Sequence, residues 1–314
     1  MFASVVIPTY NRRPILEKCL AALERQSLAG YLERYEVVVV DDGSVDGTPE
    51  WLRSEVARFP HVRLIEQEHG GPAEGRNRGV KHSRGDVIVF IDSDLVVTES
   101  FLANHAKSLK HGWQQQGNQL CFTYGAVINT ADFDKPTAER HKLRDLSWAY
   151  FATGNVAIDK DVLERSGLFD TGFRLYGWED LELGERLRRM GVQLIKCPEA
   201  VGYHWHPALK LDQIPDLIRV ERERARMGLV FYRKHPTRRV RFIIQFTWMH
   251  RTLWELLTLG GLINEHSLRP CLRWLIRNGY QGTAMELLRL PLNRIGVRSL
   301  FREASSAGIS CPLL

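Results

Sequence analysis

Asp86-Val87-Ile88-Val89-Phe90-Ile91-Asp92-Ser93-Asp94 decides the fold. Five apolar residues, four of them β-branched, run without a break between acidic residues. So short a run reads as a strand, and a strand apolar at every position is buried on both faces, as in a parallel sheet covered by helices. Its end carries two carboxylates, Asp92 and Asp94, around Ser93. On a strand they would share a face; at a frayed strand end both can reach one cation, and hard oxygen ligands suit Mg²⁺ or Mn²⁺. Such a triplet is common in loops, so its weight comes from the buried strand before it and from a second acidic strand end upstream.

Upstream, residues 3–7, 36–41 and 62–66 are similar short runs, separated by helical stretches at 14–26, 48–59 and 73–83. The alternation predicts βαβ units in an open, mostly parallel α/β sheet with helices on both faces, which binds ligands at the carboxyl ends of its strands. Polar residues collect at those ends: Pro8-Thr9-Tyr10-Asn11, Asp41-Asp42-Gly43-Ser44 and Asp92-Ser93-Asp94. Strands are predicted at 121–128, 153–158, 193–197 and 200–205, and a helix at 181–190 that Gly191 ends. Beyond about residue 210 the pattern is helical, punctuated by Pro236, Gly260-Gly261, Pro270 and Gly279. The expected organisation is an α/β domain over 1–210 and a basic helical extension over 211–314.

The 314 residues are 44% hydrophobic and 25% charged, which excludes a disulfide-stapled miniprotein and a disordered chain. The net charge of +6 is unevenly placed: residues 210–314 hold 18 Lys and Arg against 8 Asp and Glu (+10), residues 1–209 hold 25 against 29 (−4). Five scattered cysteines without a CxxC pair, and a start with no basic region or long apolar run, read as reduced thiols in a cytoplasmic protein.

Several residues could carry chemistry. Asp41 and Asp42 precede a Gly-Ser turn that opens a helix; they could accept from a base or ribose, or merely cap the turn. Glu179-Asp180 follows Tyr176-Gly177-Trp178 and opens a helix. It is either a dipole-favoured cap or a general base for an acceptor hydroxyl, with Trp178 placed to stack on a sugar ring. A helix N-terminus lowers a carboxylate's pKa, so a base there is expected to rely on positioning more than basicity. His204 and His206, two apart on a short strand, point the same way, and one of them could join Asp92 and Asp94 on a cation. Arg76, in Gly75-Arg76-Asn77-Arg78-Gly79, could meet a phosphate, fix a catalytic carboxylate, or lie on a solvated helix face.

Taken in order, Val5-Val6-Ile7-Pro8-Thr9-Tyr10-Asn11-Arg12, Val38-Val39-Val40-Asp41-Asp42-Gly43-Ser44, Gly75 to Gly79, Phe90 to Asp94, Thr153-Gly154-Asn155 and Gly177-Trp178-Glu179-Asp180 resemble the family 2 glycosyltransferases of GT-A fold. The likeness spans about residues 3–206; the acceptor-side stretch Trp178-Glu179-Asp180-Leu181-Glu182-Leu183 is similar to that of galactosyl- and N-acetylgalactosaminyltransferases. It implies an inverting transferase with a nucleotide-diphosphate sugar donor, UDP-linked as first choice, a Mn²⁺ or Mg²⁺ cofactor and a glycan or lipid-linked acceptor. Pro8, Thr9 and Tyr10 would border the nucleoside, Asp42 would hold the base edge and Asp41 support the turn. Asp92, beside Ser93, would lie near ribose and metal. Asp94 would bind the metal with His204 or His206, His204 being slightly favoured. Asp180 would be the base, Glu179 would orient acceptor hydroxyls, and Gly154 and Asn155 would form the acceptor or donor-sugar wall.

Two alternatives stand beside this reading. A sugar nucleotidyltransferase would want a glycine-rich basic loop directly after the first strand, where this chain has Pro8-Thr9-Tyr10-Asn11-Arg12. A degenerate, non-catalytic scaffold is at odds with intact Asp42, Asp92, Asp94 and Asp180. The tail, outside the resemblance, carries nine Lys and Arg over 219–241 and then an apolar, Trp-containing stretch over 242–263. Phe242, Phe246, Met249, Leu253 and Leu257 recur at helical spacing, with Gln245, His250, Arg251 and Glu255 interrupting too often for a membrane span. The stretch reads either as an interfacial helix on anionic lipid at the inner face of a membrane, or as a helix packed on the catalytic domain with a solvated basic side. No nucleic-acid-binding module is recognisable.

Overall fold

The computed structural model describes residues 1–138 and 150–311. In chain order its first elements are β1 (Phe2–Thr9), α1 (Arg13–Leu23), β2 (Arg34–Asp41), α2 (Thr48–Ser54), β3 (Val62–Glu66), α3 (Pro72–His82), β4 (Val87–Ile91), β5 (Leu95–Val97) and α4 (Phe101–Gln116). There follow β6 (Cys121–Thr130), β7 (Asn155–Asp159), α5 (Lys160–Arg165), α6 (Glu179–Arg189) and β8 (Gln193–Trp205). The sheet order is β3-β2-β1-β4-β7-β6-β8-β5. β1, β2, β3 and β4 run parallel, as their unbroken apolar runs predict. β7 and β5 run antiparallel to their neighbours, so the sheet is mixed beyond β4. One core cluster centres on Val5, Val37, Val39 and Val89, and another on Val6, Ile88, Phe90 and Phe122. Alternate β1 and β4 side chains thus feed opposite faces, and both faces are covered.

α3 lies unusually close to the sheet. A Cβ at Gly79 would sit 2.3 Å from Val6 Cγ1, and one at Gly75 would sit 3.3 Å from Pro8 Cβ. These two glycines, one helical turn apart, let the helix backbone settle on β1 and carry Arg76 with it.

One difference from the sequence reading matters for the site. β8 is one strand, where two were expected over 193–197 and 200–205. Its register against β6 shifts at Gly125/Ala126, from Cys197 to Val201, leaving a bulge at Pro198-Glu199-Ala200. Asn155 clamps that bulge: its Nδ2 donates to the carbonyls of Ala126 and Ala200, each at 2.9 Å, and its Oδ1 lies 2.8 Å from His105 Nε2. His105 Nδ1 lies 2.7 Å from the Thr123 hydroxyl. Burial pushes the His105 pKa down to about 4, so this ring stays neutral.

By compactness the chain divides into a sheet unit, Met1–Gly172 with Glu179–Pro207, and a helical unit, Phe173–Trp178 with the chain from Ala208 onward. The helical unit holds α7 (Ile214–Lys234), α8 (Arg238–Ile243), α9 (Trp248–Leu257), α10 (Arg269–Arg277) and α11 (Gln281–Ser306). Leu209, Ile214, Leu272, Leu275, Ala284, Leu288 and Leu292 form one of its apolar clusters. The stretch expected to be one amphipathic run from Phe242 to Leu257 is broken: α8 ends at Ile243, and Gln245 has φ +61°. Phe246 is buried before the break is over, whereas Met249, Leu253 and Leu257 are exposed. Among the described residues no helix is long and apolar enough to cross a membrane, and all five cysteines are free thiols.

Candidate active site

The strand ends of β1 and β2 are stitched together. Asp41 Oδ1 accepts from the backbone N–H groups of Gly43 and Ser44, closing the turn. Asn11 takes φ +53°, and its Oδ1 accepts from Val45 N at 2.8 Å. Asp42 is buried, and its carboxylate is already filled by the loop after β3. Gln67 Nε2 and Gly70 N donate to Oδ1, Gly71 N donates to Oδ2, and His69 Nδ1 lies 2.9 Å from Oδ2. Tyr10 packs against His69 with ring centroids 4.5 Å apart and the rings tilted by 31°. Nearby, Thr9 Oγ1, Asp41 Oδ2 and Gln67 Oε1 are buried with no hydrogen-bond partner among the described residues. Unsatisfied buried polar atoms are costly and call for an explanation. Asp41 Oδ2 is thus a buried acceptor with no partner among the described residues, whereas both Asp42 oxygens are engaged by the 67–71 loop.

The acidic triplet lies in the turn between β4 and β5, closed by Leu95 N donating to Asp92 O at 3.1 Å. β5 pairs with β8 so that Leu95 faces His204, and Trp205 N donates to Asp94 O. That pairing brings the His204 Nε2 to 2.9 Å from Asp94 Oδ1. Asp92, Asp94 and His204 each place one ligand atom within 4.8 Å of the others. A cation bound at about 2.0–2.6 Å to oxygen separates its ligand atoms by roughly 3 to 5 Å, so a donor set gathered this closely suits Mg²⁺ or Mn²⁺. His206 is exposed with its ring 4.2 Å from that of His204, and the compact group contains His204 instead. The other Asp94 oxygen accepts from Arg12, a residue the sequence reading quoted without giving it a role. Burial opposes ionisation of Asp94, but the His204 hydrogen bond and charge and the Arg12 charge outweigh it, and its pKa is lowered. Burial likewise opposes a charged His204, and the Asp94 hydrogen bond and the Asp94 and Asp92 charges outweigh it, raising the pKa.

Arg76 joins this turn to the start of α6. It is buried, its Nη1 donates to Glu179 at 3.0 Å and its Nη2 to Asp92 Oδ1 at 3.2 Å. Of the three readings open in the sequence, fixing a carboxylate is the one the geometry favours. The bridge leaves Glu179 Oε2 and Arg76 Nε buried with no partner among the described residues. Next to Glu179, half-buried Asp180 accepts from Leu181 N at 2.7 Å. Its pKa is pushed up to about 7, first by burial and then by the Glu179 charge, with Arg76 pulling the other way. The helix N-terminus was expected to keep it low; desolvation beside a second carboxylate prevails.

One wall candidate, Asn155, is placed differently from expectation. Asn155 is fully buried and its amide is spent on His105 and the β8 bulge, so it shapes the sheet rather than lining a wall. Gly154 stays at the site, where a Cβ would lie 3.3 Å from Asp92 Oδ2. Trp178 belongs to the helical unit and is committed there. Its indole N–H donates to the Arg224 carbonyl at 2.7 Å, and the Arg224 guanidinium lies 5.0 Å from its ring centroid.

A sheet of this order, with acidic groups gathered at its strand ends, is that of a GT-A glycosyltransferase, and comparison with known proteins agrees. Residues 4–166, just over half of the chain, match the model for glycosyl transferase family 2, and the chain belongs to that family. It is 26% identical to the uncharacterized glycosyltransferase YfnE of Bacillus subtilis (strain 168), covering 66% of this chain and 66% of that protein. It is 32% identical to validoxylamine A glucosyltransferase of Streptomyces hygroscopicus subsp. jinggangensis (strain 5008), covering 63% of this chain and 54% of that one. The chain thus spans two-thirds or less of the length of these relatives. The mannosyltransferase PcManGT from Pyrobaculum calidifontis, solved in complex with GDP-Man and Mn²⁺, superposes with a TM-score of 0.58 at 20% identity, over 97% of this chain and 86% of that one. At that identity the likeness is one of fold.

Proposed function

We propose that the protein moves a sugar, with inversion, from a nucleotide-diphosphate sugar to an acceptor hydroxyl, in the synthesis of a polysaccharide, glycolipid or cell-envelope glycan. The observation that carries this reading is the Arg76 bridge. One buried guanidinium ties the Asp92/Asp94/His204 group to Glu179, the neighbour of a carboxylate tuned to about 7. A metal site and a general base are thereby held on one bracket.

The roles follow from placement. Thr9, Asp41 and Gln67 supply the unsatisfied polar atoms for a base edge, with Pro8 and Tyr10 beside them and Asp42 holding the 67–71 loop. A UDP-linked donor is the first choice on the resemblance of the motifs; the Asp41 and Gln67 oxygens would each accept from a ligand N–H or O–H. Asp92, Asp94 and His204 would hold the divalent cation, whose part is to neutralise the leaving diphosphate. His204 would then present a neutral nitrogen, and Arg12 would release its Asp94 oxygen. Asp180 takes the proton from the acceptor hydroxyl, the acceptor oxygen bonds to the anomeric carbon, and the bond to the diphosphate breaks on the opposite face. No carboxylate nucleophile is needed, in contrast to a retaining glycosidase. Glu179 keeps Asp180 basic and orients the acceptor.

The test is binding of UDP, GDP, dTDP, CDP and their sugars with and without Mn²⁺. Metal-dependent affinity for one nucleotide supports the reading. Binding indifferent to metal removes the Asp94/His204 assignment, and failure of every nucleotide to bind favours a scaffold.

A further inference from the structure

α9 is built inside out. Met249, Thr252, Leu253, Leu256 and Leu257 fall at i, i+3, i+4, i+7 and i+8, one stripe of a helix, and all five are exposed. Leu256 shows 67% of its surface, and Leu262 in the turn beyond shows 74%. The charged side is turned in towards α11. Glu255 receives Arg294 Nε at 3.0 Å and Arg298 Nε at 2.5 Å, and Arg251 lies over the rings of Trp248 and Phe301. A contiguous apolar face of this kind marks an interaction surface.

The charge around the stripe says what covers it. Residues 233–262 contain six Lys and Arg and one acidic residue, Glu255, which is the one already consumed on the inner side. On α8, exposed Phe242 has its ring 5.5 Å from that of His250, joining the exposed sides of the two helices. Arg238 and Arg239, exposed and four and three positions earlier, share that side of α8. The partner must therefore be apolar in depth and anionic at its rim. A second copy fits poorly, because residues 210–314 carry +10 and two such faces repel.

We propose that α9 and the exposed side of α8 form an interfacial anchor for an anionic phospholipid bilayer. The leucines enter the acyl boundary and the arginines stay among the phosphates; among the described residues no helix is long and apolar enough to cross the membrane. The proposal is independent of the transfer reaction, and either can fail without the other.

The test is sedimentation of the full chain with vesicles of mixed phosphatidylcholine and phosphatidylglycerol, compared with phosphatidylcholine alone. Binding is expected only to the anionic vesicles, weakening with salt. Brominated acyl chains should quench a fluorescence component that Trp248→Phe removes. Leu253→Glu and Leu256→Glu should each lower partitioning about tenfold, and Arg238→Gln about fivefold. Circular dichroism melts check that these exposed substitutions leave the fold intact. Indifference of the wild type to anionic vesicles, or unchanged partitioning in the leucine variants, overturns the proposal. So does a concentration-dependent dimer that Leu256→Glu dissolves, since a second copy would then cover the face.

Discussion

The sheet unit and the helical unit break the same rule in opposite directions. At the carboxyl ends of β1, β4 and β8, charges go inside: Arg76, Glu179 and Asp94 are buried where a core would be expected. On α9 the apolar side chains go outside while Glu255 turns inward. Buried charge is retained where each group is paired, and the pairs here run from Arg76 to both Asp92 and Glu179 and from Asp94 to both Arg12 and His204. An exposed apolar stripe has no such internal compensation. The contrast teaches where to expect sensitivity: the sheet unit should fail chemically when a partner is removed, and the helical unit should tolerate surface change and lose only what it docks to.

The largest effect should come from Asp180, the proposed base. Asp180→Asn should cut single-turnover transfer by about 10²–10⁴, with nucleotide affinity by titration calorimetry unchanged; normal turnover would remove Asp180 from the role. Next, Asp94→Asn should cost Mn²⁺-dependent nucleotide affinity about a hundredfold or more, since even outer partners of metal ligands are worth about 10–100-fold. Retained metal dependence would move the cation elsewhere.

The pH profile sharpens the comparison inside the site. With Asp180 titrating at about 7, transfer should rise through that pH on the acid side, and Glu179→Gln should move the limb to lower pH by withdrawing a like charge. A limb that stays put in Glu179→Gln would show that burial alone sets it. The same raised pKa has a stability sign. Folded Asp180 holds its proton to higher pH than unfolded Asp180, so its contribution to folding is fully present below the ordinary carboxylate range and is lost as pH rises to about 7. Asp180→Asn should therefore melt higher than wild type at pH 8 and show little gain at acid pH. The smallest effect belongs to the outer face: Leu256→Glu should change stability by no more than about 0.5 kcal/mol and leave transfer to a water-soluble acceptor unchanged. A large melting shift would mean that α9 packs inward after all.

What was legible in the sequence follows from locality. The run 87–91 and its counterparts announce a parallel sheet because burial on both faces forces an unbroken apolar string, and the carboxylates follow at the strand ends in plain order. The joined β8 was not legible, since Pro198-Glu199 reads as a gap between strands until a bulge absorbs it. The true place of Asn155 depends on His105 in a different element, and no local pattern announces that contact. Arg12 and His69 lacked a signal for the same reason: their partners are Asp94 and Asp42, far along the chain. On α9 the helical spacing of apolar residues was readable, but not which side meets water. That was decided by Arg294 and Arg298, which draw Glu255 in.

The clamp that Asn155 sets on the bulge of β8 bears on how such enzymes can be recombined. The bulge offsets the second half of the strand so that Leu95 meets His204, and the offset is held by an amide whose oxygen is engaged by buried His105 in α4. A chimera importing residues 193–205 from a relative without a matching α4 would keep every motif letter and still deliver its histidine out of step with the acidic turn. α4, β7 and β8 are in that sense a single structural cassette, and a crossover placed between them is where hybrids should first lose the grouping of Asp92, Asp94 and His204.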